Sequence, residues 1–365
     1  MLKAALYAGI AWAALGAAEA RAEILIGVAG PRTGAYANFG EQMFQGAAQA
    51  VKDINAKGGV LGQPLKLEIG DDACDPKQAI SVANQFVNRG VVFVSGHFCS
   101  GSSVPASAVY QEEGIVMMSF SSTNPKLTEQ GFGNIYRVCG RDDQQGPVAA
   151  QMIVKRFKGK KVAILHDRTG FGKGVADSVK KRLNELGVKE TLYEAYTPGE
   201  KDYSALVTKL KQAAVDVIYL GGYHTEGALI LRQAREQNLM ATMVGGDGFA
   251  VSEFPAIAGK AADGTLFTFT PDPRKDAANK KVVERMRAGG YEPEGYTLYS
   301  YATIQVFAQA AAAAKSTEAK DINKALHAGK FDTLLGKIEF DKNGDPKAPG
   351  YVFYEWRNNA FDLAK

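Results

Sequence analysis

The chain has 365 residues but only three cysteines, four histidines and two tryptophans. No C-x-x-C spacing occurs, and His97, His166, His224 and His327 are scattered, so no zinc or iron–sulfur site is expected. No G-x-S-x-G elbow surrounds Ser100, which removes the usual serine-hydrolase arrangement. Gly170-Phe171-Gly172-Lys173-Gly174 has neither glycine spacing that cradles phosphates; a close helix–strand turn that carries Phe171 is expected instead. His166-Asp167 sets a base beside an acid, but adjacent residues at a strand end point apart. No enzymatic activity and no cofactor are therefore expected. The net charge is only +4, with both signs interspersed, too little to imply nucleic acid or an anionic membrane as a partner.

Long apolar runs are also missing, except at the start. Lys3, the stretch Ala4 to Ala18, and Ala20 and Ala22 flanking Arg21 read as a secretory signal over residues 1–22, cleaved after Ala22. The run is shorter than the roughly 20 residues that span a bilayer. Ala310–Ala314 lies among Gln305, Gln309 and Lys315 and reads as close helix packing. Without the leader 343 residues remain, more than one core usually serves, so two domains are expected.

What is present is an alternation of apolar strand-like runs with helix-period segments, the α/β signature. Strands are expected at Ile24–Val28, Leu65–Ile69, Val91–Val94, Ile115–Met118, Val162–Leu165, Thr191–Ala195, Val215–Leu220, Met243–Val244 and Leu266–Phe269, with a helix over about Phe39–Ala56. Both sheets should be mostly parallel. Cys74 and Cys99 each follow an apolar run, which sets both at the carboxyl ends of neighbouring strands, where a disulfide is geometrically reasonable. An exported chain with three cysteines implies one disulfide and one leftover thiol, and Cys139 is expected to be that thiol, buried and inert. Asp75 with Pro76 behind it reads as a helix cap, and Ser100 opens a second helix whose first N–H groups suit a carboxylate.

Val51-Lys52-Asp53-Ile54-Asn55, Asp71-Asp72-Ala73-Cys74-Asp75-Pro76, Gly96-His97-Phe98-Cys99-Ser100-Gly101, Gly199-Glu200-Lys201-Asp202-Tyr203-Ser204 and Tyr219-Leu220-Gly221-Gly222-Tyr223-His224 follow one another in this order. In these segments the chain resembles the periplasmic leucine/isoleucine/valine-binding proteins of bacterial uptake transporters, over essentially its whole mature length. The resemblance implies a type I periplasmic binding protein with two Rossmann-like lobes joined by a three-segment hinge. Lobe one would be 23–141 plus 272–348, and lobe two 142–271 plus 349–365. It also implies a periplasmic monomer that receives a neutral L-amino acid and docks on the permease and ATPase of an ABC importer in the inner membrane. A sensory binding protein, or a receptor for amides or small carboxylates, stays open.

A free amino acid needs hydrogen bonds for both of its charged ends. Ser100 and the run Ser121-Ser122-Thr123 offer hydroxyls and backbone groups after strands, and Asp247, flanked by Gly246 and Gly248, is a natural counter-ion for an ammonium. By the resemblance, Ser100 and the Thr123 amide hold the carboxylate, while the Ser121 carbonyl, the Thr123 hydroxyl and Asp247 hold the ammonium. Phe39, Phe171 and Tyr223 match the family's pocket wall, where the first two replace tyrosine and so give up a hydroxyl donor. Asp247 stands where better-known members carry glutamate. Phe98 and Tyr296 resemble a subgroup that accepts alanine, proline or γ-aminobutyrate. Bulk at Phe98 would shorten the side-chain pocket.

Overall fold

The computed structural model describes residues 22–347 and 350–364. The leader expected at 1–22 falls, but for its last residue, outside them, as does the boundary expected between 348 and 349. The first sheet holds β1 (Ile24–Gly30), β2 (Leu65–Asp71), β3 (Phe93–Gly96), β4 (Val116–Ser119) and β5 (Ile135–Arg137) in the order β2-β1-β3-β4-β5. Its pairings are all parallel, with Ile26 of β1 beside Leu67 on one side and Phe93 on the other. The second sheet begins with β6 (Val162–His166), β7 (Leu192–Ala195), β8 (Val217–Gly221), β9 (Thr242–Gly245) and β10 (Leu266–Phe269), again parallel. A short hairpin follows, β11 (Phe331–Thr333) with β12 (Gly336–Ile338), and then β13 (Val352–Arg357) and β14 (Ala360–Leu363) extend the second sheet antiparallel, beyond β10. The α/β reading with mostly parallel sheets holds. Strands such as Val162–His166 and Val217–Gly221 are buried along their whole length, as helices on both faces require, and so read as continuous apolar runs.

After β10 the chain returns to the first sheet. Helix Thr297–Ala314 lies on helix Ala37–Asn55 so closely that a Cβ on Gly46 would meet the Thr297 carbonyl oxygen at 2.1 Å. Ser95 on β3 and Thr303 share a hydrogen bond of 2.6 Å beneath this packing.

Cys74 and Cys99 form a disulfide with their Cα atoms 5.5 Å apart. The strands they follow are not adjacent, contrary to the sequence expectation, because β1 lies between β2 and β3. The loop after β2 folds over the end of β1, where Asp72 N–H donates to the Gly30 carbonyl (3.1 Å), and this carries Cys74 across. Asp75 caps helix Pro76–Asn88 as expected, accepting from the N–H groups of Lys77 and Gln78 at 2.9 and 2.8 Å. Cys139 is a free, buried thiol whose pKa burial drives far up, so it stays protonated and unreactive. Replacing both Cys74 and Cys99 by serine should lower unfolding stability by about 3–4 kcal/mol, the chain-entropy value for such a loop. Urea denaturation measures it, and a loss below about 1 kcal/mol would show that the loop is held by its hydrogen bonds instead.

Candidate functional site

The carboxyl ends of the two sheets face each other, the position at which open α/β sheets bind ligands. From the first sheet come the β3 loop, with Phe98 and then Ser100 opening helix Ser100–Glu112, and the β4 loop, with Ser121. From the second come Phe171 in the first turn of helix Gly170–Glu185, Tyr223 after β8, and Asp247 after β9. Phe98, Ser100, Ser121, Phe171, Tyr223, Asp247 and Gly248 enclose one cavity of about 10 Å³. Phe171 reaches it because Gly172 lets the helix close on its strand: a Cβ there would meet Asp167 Oδ1 at 2.2 Å and the Gly221 carbonyl at 2.6 Å. A larger recess of about 510 Å³ lies outside the cleft, where Pro271 and Asp272 meet Tyr299 and Lys347; it receives none of the expected ligand residues.

The aromatic wall is continuous. Phe39 stacks on Phe98 with centroids 4.5 Å apart, Tyr296 meets Phe98 edge-on at 5.7 Å, and Phe171 and Tyr223 are 5.1 Å apart. Asp247 is 3% exposed. Its carboxylate accepts from Tyr296 Oη at 2.5 Å and from Gln145 Nε2 at 2.8 Å, while Gln145 Oε1 accepts the Asp247 N–H at 3.0 Å. Burial raises the Asp247 pKa, and these two side-chain donors work against it.

The serines divide their work. The Ser121 hydroxyl donates to the Phe98 carbonyl at 2.9 Å. Ser122 turns inward, its hydroxyl 2.5 Å from Ser103 Oγ and 2.9 Å from the Phe98 carbonyl, so it braces the β3 loop and does not line the cavity. The Thr123 hydroxyl is buried beside the buried Asp142 carboxyl, with which it interacts without full hydrogen-bond geometry. Ser100 Oγ accepts the Asn124 N–H at 3.3 Å.

Residues 23–360 match the model of the periplasmic binding protein family. The chain belongs to that family. It is 51% identical over 362 residues to the Leu/Ile/Val-binding protein homolog 1 of Brucella suis, covering 98% of both chains. It is 50% identical over 341 residues to the amino acid binding protein of Pseudomonas aeruginosa, covering 93% of this chain and 91% of that one. Among solved structures it is similar to the leucine binding protein LivK of Thermotoga maritima, with TM-score 0.87 at 28% identity over 94% of this chain and 98% of that one. LivJ of Streptococcus pneumoniae, solved with isoleucine, gives TM-score 0.86 at 26% identity over 94% and 99%. Among the described residues of this family member, no helix is long and apolar enough to cross a membrane.

Several buried polar groups around the cleft escaped sequence reasoning. Gln145 lies one turn inside helix Asp142–Arg156 and orders Asp247; the polar run Asp142 to Gln145 hinted at it. His97 is held between Asp72 (2.6 Å) and Tyr110 (3.0 Å), and carries no sequence signal beyond its place between two glycine-flanked segments. Tyr36 covers the mouth, its ring 4.4 Å from Tyr223 and its hydroxyl 3.3 Å from Glu226 Oε2. His166 and Asp167 do point apart, and each serves its own turn: His166 Nδ1 accepts the Arg168 N–H at 3.1 Å, and Asp167 Oδ1 accepts Thr169 N–H and Oγ1 at 2.8 and 2.7 Å.

Burial, with the Glu226 carboxylate adding to it, pushes the Asp167 carboxyl up to about 6 against the Thr169 hydrogen bonds. An acid whose pKa is raised on folding favours the fold most below its unfolded pKa, and that contribution is lost as pH rises through the folded value. Asp167→Asn keeps an Oδ1 acceptor for Thr169. It should leave stability unchanged below pH 4 and raise it by about 2–3 kcal/mol above pH 7. Urea midpoints at the two pH values measure this, and an equal difference at both would remove Asp167 from the pH response.

Proposed function

We propose that this protein is a receptor for neutral amino acids that hands its ligand to an ABC importer, with the Leu/Ile/Val-binding relatives as support for the ligand class. The observation that carries the reading is the meeting of Asp247 from one sheet with Ser100 and Ser121 from the other inside an aromatic enclosure. The ligand carboxylate meets the Ser100 hydroxyl and the N–H groups of helix Ser100–Glu112 and of Thr123, where the helix dipole adds to the attraction. The ammonium meets Asp247, the Thr123 hydroxyl and the Ser121 carbonyl. Phe39, Phe98, Phe171, Tyr223 and Tyr296 surround the side chain. Ser122 acts from behind, through the β3 loop.

In this reading the lobes are 23–141 with 272–348, and 142–271 with 349–365, and they turn about the crossovers between them. Ligand touches both lobes and shifts the balance toward the closed form, the one an importer would recognise. The tight fit of Phe98 between Phe39 and Tyr296 favours small or unbranched ligands such as alanine, proline and γ-aminobutyrate over leucine.

Calorimetric titration of ligand-stripped protein with leucine, valine, alanine, proline, γ-aminobutyrate and glutamate tests the proposal. Micromolar or tighter binding of at least one neutral member is expected, with none for glutamate; heat from none of the neutral ligands would sink it. Asp247→Ala should weaken that binding by at least about 2 kcal/mol while the protein stays folded, because an ammonium loses its charged partner. Phe98→Leu should move leucine and valine up the ranking by about 1–3 kcal/mol relative to alanine. An unchanged ranking would take Phe98 out of the wall.

A further inference from the structure

We propose that Arg137, held by Asp345, is a positioning residue for ligand recognition: it aims the Thr123 N–H into the cleft and so fixes the carboxylate half of the site. This rests on the proposed reading in which that N–H meets the ligand carboxylate.

Arg137 ends β5 and is fully buried. Its guanidinium stands behind the β4 loop and faces two of its residues and Thr128 in the short helix Lys126–Glu129 that follows. Nη1 donates to the Ser122 carbonyl at 2.6 Å, and Nη2 to the Asn124 carbonyl at 3.0 Å and to Thr128 Oγ1 at 2.8 Å. Nε lies 2.6 Å from Asp345 Oδ1. Asp345 is held in turn by Thr128 Oγ1, at 2.9 and 3.0 Å from its two oxygens, and by Arg141 Nη1 at 2.7 Å. The backbone closes the arrangement, with Arg137 N–H on the Gly344 carbonyl at 3.0 Å.

In a planar trans peptide the C=O and the following N–H point in opposite directions. Pinning the Ser122 carbonyl to the guanidinium therefore sends the Thr123 N–H away from it. The next carbonyl, of Thr123, accepts the Asp142 N–H at 2.9 Å, and the next N–H, of Asn124, reaches Ser100 Oγ at 3.3 Å. Three successive peptides are thus oriented from behind the loop, two of them by one rigid fork that a lysine ammonium cannot reproduce. The same cluster joins the site to the crossovers, since Arg141 stands at the first and Asp345 shortly before the third. None of these atoms lines the cavity, so their effect on ligand is exerted through the loop.

The test is a comparison of acid with amide: alanine against alaninamide, and proline against prolinamide, titrated into the parent, Arg137→Lys, Asp345→Asn and the pair Arg137→Met/Asp345→Leu. The pair removes both charges together and so avoids leaving one buried alone; circular dichroism and urea midpoints report which variants fold, and Asp345→Asn, which keeps the shape, serves where the others do not. The parent should prefer the acid. Folded variants should lose about ten- to a hundredfold in affinity for the acid with little change for the amide. Asp247→Ala is the control, because acid and amide share the ammonium and should weaken together. Parallel weakening of acid and amide in the Arg137 and Asp345 variants, or unchanged acid binding, would overturn the positioning role. A parent that does not distinguish acid from amide would instead refute the carboxylate reading on which the role rests.

Discussion

Asp247 is enclosed where two sheets meet, and an ionised carboxylate in such a place is tolerable only with hydrogen bonds supplied from around it. One donor, Gln145, comes from helix Asp142–Arg156, which lies between β5 of the first sheet and β6 of the second, and the other, Tyr296, from the segment that leads into helix Thr297–Ala314 on the first sheet. Tyr296 can reach Asp247 only because the chain, having built the second sheet through β10, returns to the first. Its ring is fixed there by edge-on contacts with Phe98, Phe269 and Tyr299 at 5.7, 5.1 and 5.3 Å. The discontinuous path of the chain and the buried acid thus depend on each other. Without the return, Asp247 would keep only Gln145, and the cleft would close over a poorly satisfied charge.

The parallel core was legible because strands buried on both faces have no choice but continuous apolar residues, as in Val162–His166 and Val217–Gly221. The cap at Asp75 was legible because capping is decided by neighbours two and three residues away. The disulfide pairing was legible, yet the strand between its ends was not, since strand order depends on which helices cover which face. β5, three residues long, and β14, four, carry no run long enough to stand out from turns, whereas the six-residue β13 has an apolar run, Val352-Phe353-Tyr354, that the expected set omits. Ser100, Ser121 and Asp247, expected after strands, do line one cavity together. Ser122 shows the limit of that reasoning, because its neighbour in sequence faces the cleft while it faces the Ser103 hydroxyl. Gln145 and Glu226 lie within helices and meet Asp247 and Tyr36 across 102 and 190 residues of chain, which the polar character of their own segments does not specify; Arg137 meets the β4 loop only 13–15 residues away, but from the end of a three-residue strand with no pattern of its own.

Closure of the proposed receptor is a balance that the protein's own contacts leave small. The cleft is bridged at its edges by Asn124 Nδ2 to the Gly170 carbonyl (2.5 Å), Thr225 Oγ1 to the Ala35 carbonyl (3.2 Å), Ser252 N–H to Glu294 (2.9 Å) and Tyr36 to Glu226 (3.3 Å). Bonds of this kind replace bonds to water and contribute about 0.5–1.5 kcal/mol each, against the entropy of holding two lobes together. A ligand that is to carry such an equilibrium from mostly open to mostly closed must contribute about 5.5 kcal/mol of preference for the closed form. A side-chain methylene in an apolar pocket is worth only about 1–3 kcal/mol, whereas each hydrogen bond to a charged ligand group supplies about 1.5–3 kcal/mol. In the binding mode proposed above, the amino and carboxyl ends of the ligand, shared between Asp247 and the Ser100 and Thr123 loops, therefore do most of the closing. In the same proposed mode the aromatic wall ranks ligands that have already met that requirement, so that phenylalanine at positions 39 and 171, where the resemblance implies tyrosine, would alter preference without abolishing the response.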